Sequence, residues 1–252
     1  MSQVSYPALK VVGKSKISLD GRTVLYTIKR SARAKHVRLE IGREPDLTVV
    51  VPRSYRIHRL SKLLEAKRDW ILGKLGEYDS VRQKAAEHLK DGDAVHYLGR
   101  ELTLKIRRNH NGVDAVKLER NTLLVSLKSD DRLESLLERW YRLQADRLIR
   151  EKAETLSARL GVSYNRIMIR GQKTRWGSCS HKGNLSFNWK LVMAPEPVID
   201  YVAIHELAHL REMNHTKSFW KLVAEHCPQW RERRKWLKDH GVELASRLSS
   251  PG

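Results

Sequence analysis

The chain has 252 residues and carries 49 Lys and Arg against 29 Asp and Glu, which gives a net charge of +20. This length is enough for one large domain or two modest ones. The positive charge either attracts nucleic acid or another polyanion through nonspecific phosphate contacts, or belongs to a solvated basic surface. No run of about 18 apolar residues occurs, so we expect no membrane partner.

The cysteine content and the start of the chain favour a cytoplasmic protein, which we expect to be a monomer. Residues 1–7 lack the charged and apolar blocks of a signal peptide. Cys179 and Cys227 are the only cysteines, and so few cysteines are typical of a reducing compartment.

The amino-terminal region, residues 1–90, begins with a strand pattern. Apolar residues alternate on both sides of Asp20–Gly21, which predicts an antiparallel hairpin with a two-residue turn. Alternation over residues 37–41 predicts a third strand, and the apolar residues 47–51 predict a fourth. The basic stretch over residues 29–38 either follows a phosphate backbone or forms a solvated turn.

A helix and a linker follow. Apolar residues at helical spacing predict one amphipathic helix over residues 57–75, with Trp70 in the core rather than stacked on a base. Residues 77–93 are polar and contain glycine, which predicts a linker. Residues 91–130 then form a second strand-rich region, with hairpins around Gly99–Arg100 and Arg120–Asn121.

Residues 131–160 predict the longest helix. Asp131 and Glu134 form a capping-box pattern at its start. An apolar stripe that includes Leu143 runs along it, and Gly161 follows as a stop. We expect this helix to pack behind the histidine-bearing helix that comes later in the chain.

Two strands are predicted before that helix. Residues 164–173 and 184–191 have strand patterns, and we expect them to pair as a hairpin joined by a loop over residues 175–183. The edge of such a hairpin offers an extended peptide a place to pair as an added strand.

His205, Glu206 and His209 stand in the pattern H-E-x-x-H on a predicted helix. Pro195 and Pro197 suit the first turn of a helix, and mostly apolar residues follow. Residues four apart lie on one helical face, so the two imidazoles can bind one ion with the carboxylate beside them. Burying these groups without a metal carries a large desolvation cost. The pattern predicts a single Zn²⁺ ion with Glu206 as the catalytic general base.

We prefer His215 as the third metal ligand, with Glu225 or Glu232 as the alternative. His215 is too far along a straight helix to reach the same ion, so the chain has to leave the helix after about Arg211. A carboxylate among many arginines is more simply explained as a surface ion pair. The histidine spacing equals that of metzincins, but Glu212 stands where they have glycine and no methionine follows for a Met-turn. The chain is therefore not predicted to be a metzincin.

Arg175, Trp176 and Asn188 are the candidate substrate-binding residues, with Tyr201 as a further helper. Arg175 and Trp176 either bind substrate and steady an oxyanion, or pack in a core with the cation over the ring. Cys179 has no second cysteine nearby, so we interpret it as a small buried thiol and not as a metal ligand.

The carboxy-terminal segment predicts two helices. Thr216 is placed to cap a helix over residues 217–226, which closes before Pro228. Residues 230–238 interleave tryptophans with basic residues. They either contact phosphate or form a docked helix whose arginines face water, and we favour the docked helix.

Together these motifs resemble the YgjP-like metallopeptidase family. The resemblance rests on the H-E-x-x-H pattern followed by Asn214–His215 and residues 218–220, and preceded by residues 175–180 and 187–189. It covers residues 131–241 and, more loosely, the amino-terminal half. It implies a zinc-dependent hydrolase related to the SprT-like proteases, some of which cleave proteins attached to DNA.

The sequence therefore predicts an α+β fold. Amino-terminal antiparallel β-hairpins with a helix precede a zincin-like catalytic domain, residues 131–252, built from a backing helix, a β-hairpin and the H-E-x-x-H helix. We predict a zinc metalloendopeptidase that hydrolyses polypeptides with metal-activated water.

Alternative functions stay open. One is a metal-dependent nucleotide phosphoanhydride hydrolase, against which stands the lack of a Gly-rich phosphate loop. Another is a nucleic-acid-associated protease of the SprT type. A nucleic-acid-binding module with a structural zinc is disfavoured, because Glu206 has no purpose in such a site.

Overall fold

The structure, a computed structural model, describes residues 10–32, 34–41, 47–86, 88–109, 112–172, 175–246 and 248. It is a mixed α+β chain with two compact units, residues 1–83 and 84–252. The division predicted at residues 90 and 130 stays a prediction. Arg33 of the basic stretch, Lys173 at a predicted strand end and residues 1–7 lie outside the described residues. No helix in the described part of the chain is long and apolar enough to cross a membrane.

The first unit holds a four-stranded sheet of order β1-β2-β4-β3. Its strands are β1 (Lys10–Leu19), β2 (Arg22–Ser31), β3 (Arg38–Ile41) and β4 (Leu47–Pro52). The predicted hairpin is confirmed, because β1 and β2 are antiparallel and the turn residues Asp20 and Gly21 have positive φ values of 46° and 78°. Strand β4 pairs parallel with β2 and antiparallel with β3.

Two helices cover one face of this sheet. After a short 3-10 helix (Ile57–Arg59) come α1 (Leu60–Ala66) and α2 (Arg68–Ala86). The single helix predicted over residues 57–75 is wrong, because the chain breaks at Lys67 and α2 continues through much of the predicted linker. Trp70 is 44% exposed, so its predicted core position is also wrong. It lies about 100° around the helix from Ile71, which is fully buried.

The second unit begins with a four-stranded sheet of order β5-β6-β8-β7. Its strands are β5 (Ala94–Tyr97), β6 (Arg100–Arg108), β7 (Ala115–Glu119) and β8 (Thr122–Leu127). Both predicted hairpins are present, and β6 pairs parallel with β8.

The turn of the first of these hairpins is Leu98–Gly99, one residue earlier than predicted. The amide of Leu98 donates to the carbonyl of Val192 at 2.8 Å. A Cβ atom on Gly99 would lie 2.8 Å from the Cα atom of Pro195. This tertiary contact, which no local pattern encodes, places the turn and leaves room only for glycine.

Helix α3 (Leu133–Leu160) follows a 3-10 helix (Asp130–Arg132). The predicted capping box is wrong, because the N-cap residue is Arg132 and no side chain caps the helix. Asp131 lies inside the 3-10 helix, and Glu134 instead contacts Nδ1 of His88 at 3.2 Å. The predicted stop is confirmed, since Gly161 caps the helix in the left-handed conformation with φ 63°.

The buried face of α3 packs in the main core of this unit together with α4 (Glu196–Ala208). Leu143 is 66% exposed, so its predicted place in the apolar stripe is wrong. Lys152 of α3 links the two helices, with Nζ 2.8 Å from Asp200 and 3.0 Å from Glu196. Burial lowers the pKa of Lys152, but the hydrogen bonds and charges of the two carboxylates outweigh it and raise the pKa.

The last sheet has the order β10-β11-β9. Its strands are β9 (Arg166–Arg170), β10 (Gly177–Cys179) and β11 (Asn184–Asn188), followed by a 3-10 helix (Trp189–Met193). The predicted hairpin between the first and last of these segments is wrong, because β9 and β11 are parallel. Strand β10 forms inside the predicted loop, turns at residues 180–183 and takes the antiparallel position beside β11.

Two further helices complete the chain, α5 (Lys217–His226) and α6 (Trp230–Ser246). The predicted cap is confirmed, since the Thr216 side chain accepts a hydrogen bond from the Phe219 amide. Trp230 is buried, whereas Trp236 is half-buried and most of the basic residues of α6 are exposed. Helix α6 therefore docks through its tryptophans.

Candidate metal centre

Helix α4 carries two of the predicted ligands. Pro197 lies in its first turn, where its missing N–H leaves no intrahelical bond unmade. The helix ends at Ala208 with His209 as its C-cap, earlier than the predicted exit at Arg211. His205 and His209 therefore lie about one turn apart on one face.

The chain then turns back and brings His215 to the same point. The ligand nitrogens of His205, His209 and His215 all lie within 4.8 Å of one another. The Nε2 atoms of His205 and His215 are 3.0 Å apart. Two imidazoles on a tetrahedral zinc, with Zn–N distances of about 2.0–2.1 Å, have their nitrogens about 3.4 Å apart. The geometry fits one ion, and the ligand role of the three histidines remains a proposal.

Neighbouring groups orient these rings. Nδ1 of His209 contacts the carbonyl of Glu212 at 3.1 Å, and since a carbonyl only accepts, the imidazole donates there and keeps Nε2 as an acceptor. Phe219 stacks on His209 with ring centroids 4.5 Å apart. Nδ1 of His205 is buried with no hydrogen-bond partner among the described residues. Nε2, and not this nitrogen, is the atom of His205 that lies 3.0 Å from Nε2 of His215.

All three imidazoles are neutral at neutral pH, which is the form that binds a metal ion. Burial, with the charges of His209 and His215, lowers the pKa of His205 to about 3. Burial is also the main cause of the lowered pKa values of His209 and His215. The cluster therefore exposes lone pairs rather than protons to a cation.

Glu206 is 5% exposed and lies beside the histidines on α4. Burial raises the pKa of its carboxyl group to about 8, and the charge of Arg175 opposes that rise. Gly177 of β10 packs directly against it, because a Cβ atom at that position would lie 2.6 Å from Glu206 Oε1. The strand and the helix thus confine the carboxyl group between them.

The predicted substrate-binding residues lie in different surroundings. Arg175 is exposed, and its charge reaches Glu206. Trp176 is half-buried beside α6, with Nε1 3.5 Å from where a Cβ atom on Gly241 would stand. Asn188 is 2% exposed. Its Nδ2 donates to the carbonyl of Gln172 at 2.6 Å and its Oδ1 accepts from the backbone at 3.1 Å. Asn188 is thus suited to hold the loop that carries Arg175.

The rival ligands do not join the centre. Within the described residues, only the three histidines form a group able to hold a metal ion. Glu225 and Glu232 are exposed on α5 and α6. Burial, followed by the charge of Glu206, raises the pKa of Cys179 to about 11, so it stays a thiol at neutral pH.

Sequence reasoning missed two residues near this centre, Gly177 and Arg234. An isolated glycine in a short strand is a signal for close backbone approach, which is the role Gly177 has here. Arg234 lies one helical turn after Trp230, and that i, i+4 spacing is the only local signal that the two share a face.

Comparisons with known proteins identify a family and two similar proteins. A YgjP-like metallopeptidase domain matches residues 35–240. The chain is 42% identical over 48 residues to the UTP pyrophosphatase of Escherichia coli (strain K12), a match over 18% of this chain and 29% of that protein, so less than a third of that relative is spanned. The metallopeptidase zymogen of Pyrococcus abyssi abylysin matches at 28% identity and a TM-score of 0.34, over 39% of this chain and 96% of that one. Since the domain match covers most of the sequence, the chain belongs to the YgjP-like metallopeptidase family.

Proposed function

We propose that this protein is a zinc-dependent endopeptidase in which His205, His209 and His215 hold the ion and Glu206 is the general base. The observation that supports it most is the gathering of three neutral imidazoles within 4.8 Å of one another, beside a buried carboxyl group on the same helix. Three neutral ligands leave the charge of the ion uncancelled and a fourth position open for water.

Glu206 moves the proton in this proposal. A bound zinc ion supplies Lewis acidity, which lowers the pKa of a water molecule and polarises a carbonyl group. Glu206 accepts the proton of the attacking water and passes it to the leaving amine. The raised pKa of about 8 makes its carboxylate a stronger base than an exposed one. The charge of Arg175 opposes that rise and so favours the ionised form, which is the form that acts as the base.

A polypeptide substrate fits the edge of the last sheet. Among the described residues, strand β10 pairs with β11 on one side and with no strand on the other. It also carries Gly177, which touches Glu206. We therefore place an extended substrate along β10, where main-chain pairing would bring its scissile bond to the general base.

The second candidate is a nucleotide phosphoanhydride hydrolase that uses the same metal and base. It is favoured by the 42% identity over 48 residues to a protein named UTP pyrophosphatase. Metal-activated water can attack phosphorus as well as carbon. The lack of a Gly-rich phosphate loop counts against it.

One panel separates the two functions. Zinc-loaded protein is incubated with casein and with nucleoside triphosphates, and new amino termini and released phosphate or pyrophosphate are measured. The control is Glu206→Gln, which should keep its zinc and its fold but lose turnover. A Glu206→Gln protein that retains near-normal turnover would refute the role of Glu206 for either substrate. Casein left intact while nucleotides are hydrolysed would favour the second candidate.

The basic surface supports a separate proposal of nonspecific polyanion contact. Residues 1–83 contain 18 Lys and Arg against 8 Asp and Glu, so half of the net charge lies in a third of the chain. Binding to labelled DNA should weaken steeply as salt rises, because phosphate contacts release counterions. Binding that is absent at low salt would leave the charge as a solvated surface.

A further inference from the structure

Arg234 is held beside one wall of the candidate metal centre. Its guanidinium carbon lies 5.4 Å from the centroid of the Trp220 ring. Trp220 in turn stacks on His215, with ring centroids 5.6 Å apart, and on Trp230, with centroids 4.2 Å apart. Trp230 and Arg234 are one helical turn apart, so α6 presents both to the same indole. A cation over an indole face is attracted to it, which restricts where the guanidinium can go.

The charges of two arginines act on the ionisable groups of this centre. Burial is the main cause of the low pKa values of His205 and His215, and the charge of Arg234 adds to it. Burial raises the pKa of Glu206, and there the opposing charge is that of Arg175.

In the part of the chain that the structure describes, Arg175 and Arg234 form no ion pair with a carboxylate, although Lys235 on the same helix as Arg234 is paired with Asp239. A bound divalent cation would add further positive charge. Positive charge that no carboxylate pairs with favours an anion there.

Two neighbours support such a role. Asn188 holds the loop on both sides of Arg175. Its side chain donates to the carbonyl of Gln172 before Arg175, and its backbone amide donates to the carbonyl of Trp176 after it at 2.8 Å. Tyr201 lies one turn before His205 on α4, with ring centroids 6.0 Å apart.

We infer that Arg234 and Arg175 together bind an anionic oxygen group of the substrate, a carboxylate or a phosphate, across the reacting centre. Guanidinium groups bind both anions through paired N–H donors. The inference rests on the proposed function only in placing the reaction at His205, Glu206 and His209. It adds that substrates carrying such a group close to the bond that is cleaved are preferred.

The test measures anion binding without turnover. Zinc-loaded Glu206→Gln protein is titrated by calorimetry, at fixed ionic strength, with inorganic phosphate and with a hexapeptide whose carboxyl end is free or amidated. Arg234→Gln and Arg175→Gln are each added to this background. The matched control is Arg231→Gln, because Arg231 is exposed on the same helix and lies 4.6 Å from the Trp230 centroid. Zinc content and thermal unfolding are checked for each variant.

Binding of phosphate or of the free-carboxyl peptide should weaken about tenfold in Arg234→Gln and in Arg175→Gln, as expected for a lost charged hydrogen bond. It should change by less than about twofold in Arg231→Gln. The tighter of the two probes identifies the anion as phosphate or carboxylate. Equal affinity in all variants, an equal loss in the control, or no binding of either probe would overturn the inference.

Turnover provides a separate readout. In protein with Glu206 intact, Arg234→Gln should raise KM more than it lowers kcat for a substrate with the preferred anion. A protein that binds anions through Arg234 but cleaves nothing would refute the proposed function and leave this inference in place. A protein that cleaves substrates equally well with and without Arg234 would support the proposed function and refute this inference.

Discussion

Gly177→Ala should remove most of the activity by displacing the general base. The alanine methyl group would lie 2.6 Å from both Cγ and Oε1 of Glu206, whereas ordinary contacts begin at 3.4 Å. The carboxyl group therefore has to move by about 0.8 Å, the difference between those distances. It cannot swing into solvent, because Glu206 is 5% exposed. A shift of about 1 Å in a reacting group costs roughly 100-fold in rate, or about 2.7 kcal/mol of activation free energy.

The assay is kcat on the best substrate from the panel, with zinc content and thermal unfolding measured on the same samples. Zinc content should be unchanged, because the three atoms nearest to the methyl group all belong to Glu206. Gly73→Ala in α2 is the matched control, since a Cβ atom there meets nothing within 4 Å. If Gly177→Ala keeps kcat within about threefold of the unsubstituted protein, the confinement of Glu206 by β10 is not what positions the base.

Five other substitutions test the ligand set and the packing. His215→Ala should sharply reduce zinc content by elemental analysis, whereas Glu225→Ala and Glu232→Ala should not; the opposite pattern would move the third ligand to a carboxylate. Lys152→Met should lower the free energy of unfolding by about 1 kcal/mol near pH 7 in urea titrations. The pKa of Lys152 in the folded protein is raised above its value of about 10.4 in the unfolded chain. The difference in unfolding free energy should therefore fade as the pH rises from about 10.4 through the folded-state pKa. A difference that persists above the folded-state pKa would show that packing, not charge, causes it. Thr216→Ala should cost about 1 kcal/mol through the lost cap, and unchanged unfolding would exclude that role.

The fold was predictable from the sequence at positions where a short sequence pattern decides the backbone conformation. The turn at Asp20–Gly21 and the left-handed cap at Gly161 follow from backbone sterics, which act over a few residues. The N-terminus of α3 was not predictable in the same way. Asp131 and Glu134 match a capping box, but Glu134 instead contacts His88, a residue 46 positions away.

The candidate metal centre was also predictable only in part. The sequence by itself determined that His205 and His209 share a helical face with Glu206 beside them, because helical periodicity is a local property. Only the tertiary structure decided the parallel pairing of β9 with β11, the strand β10 inside the predicted loop, and hence the contact of Gly177 with Glu206. It also decided that Arg234 lies over Trp220. The physical reason is that a strand edge can form hydrogen bonds with many different strands, and an apolar face can be buried against many different elements. The short-range sequence does not distinguish these partners, and the packing of the whole core selects one.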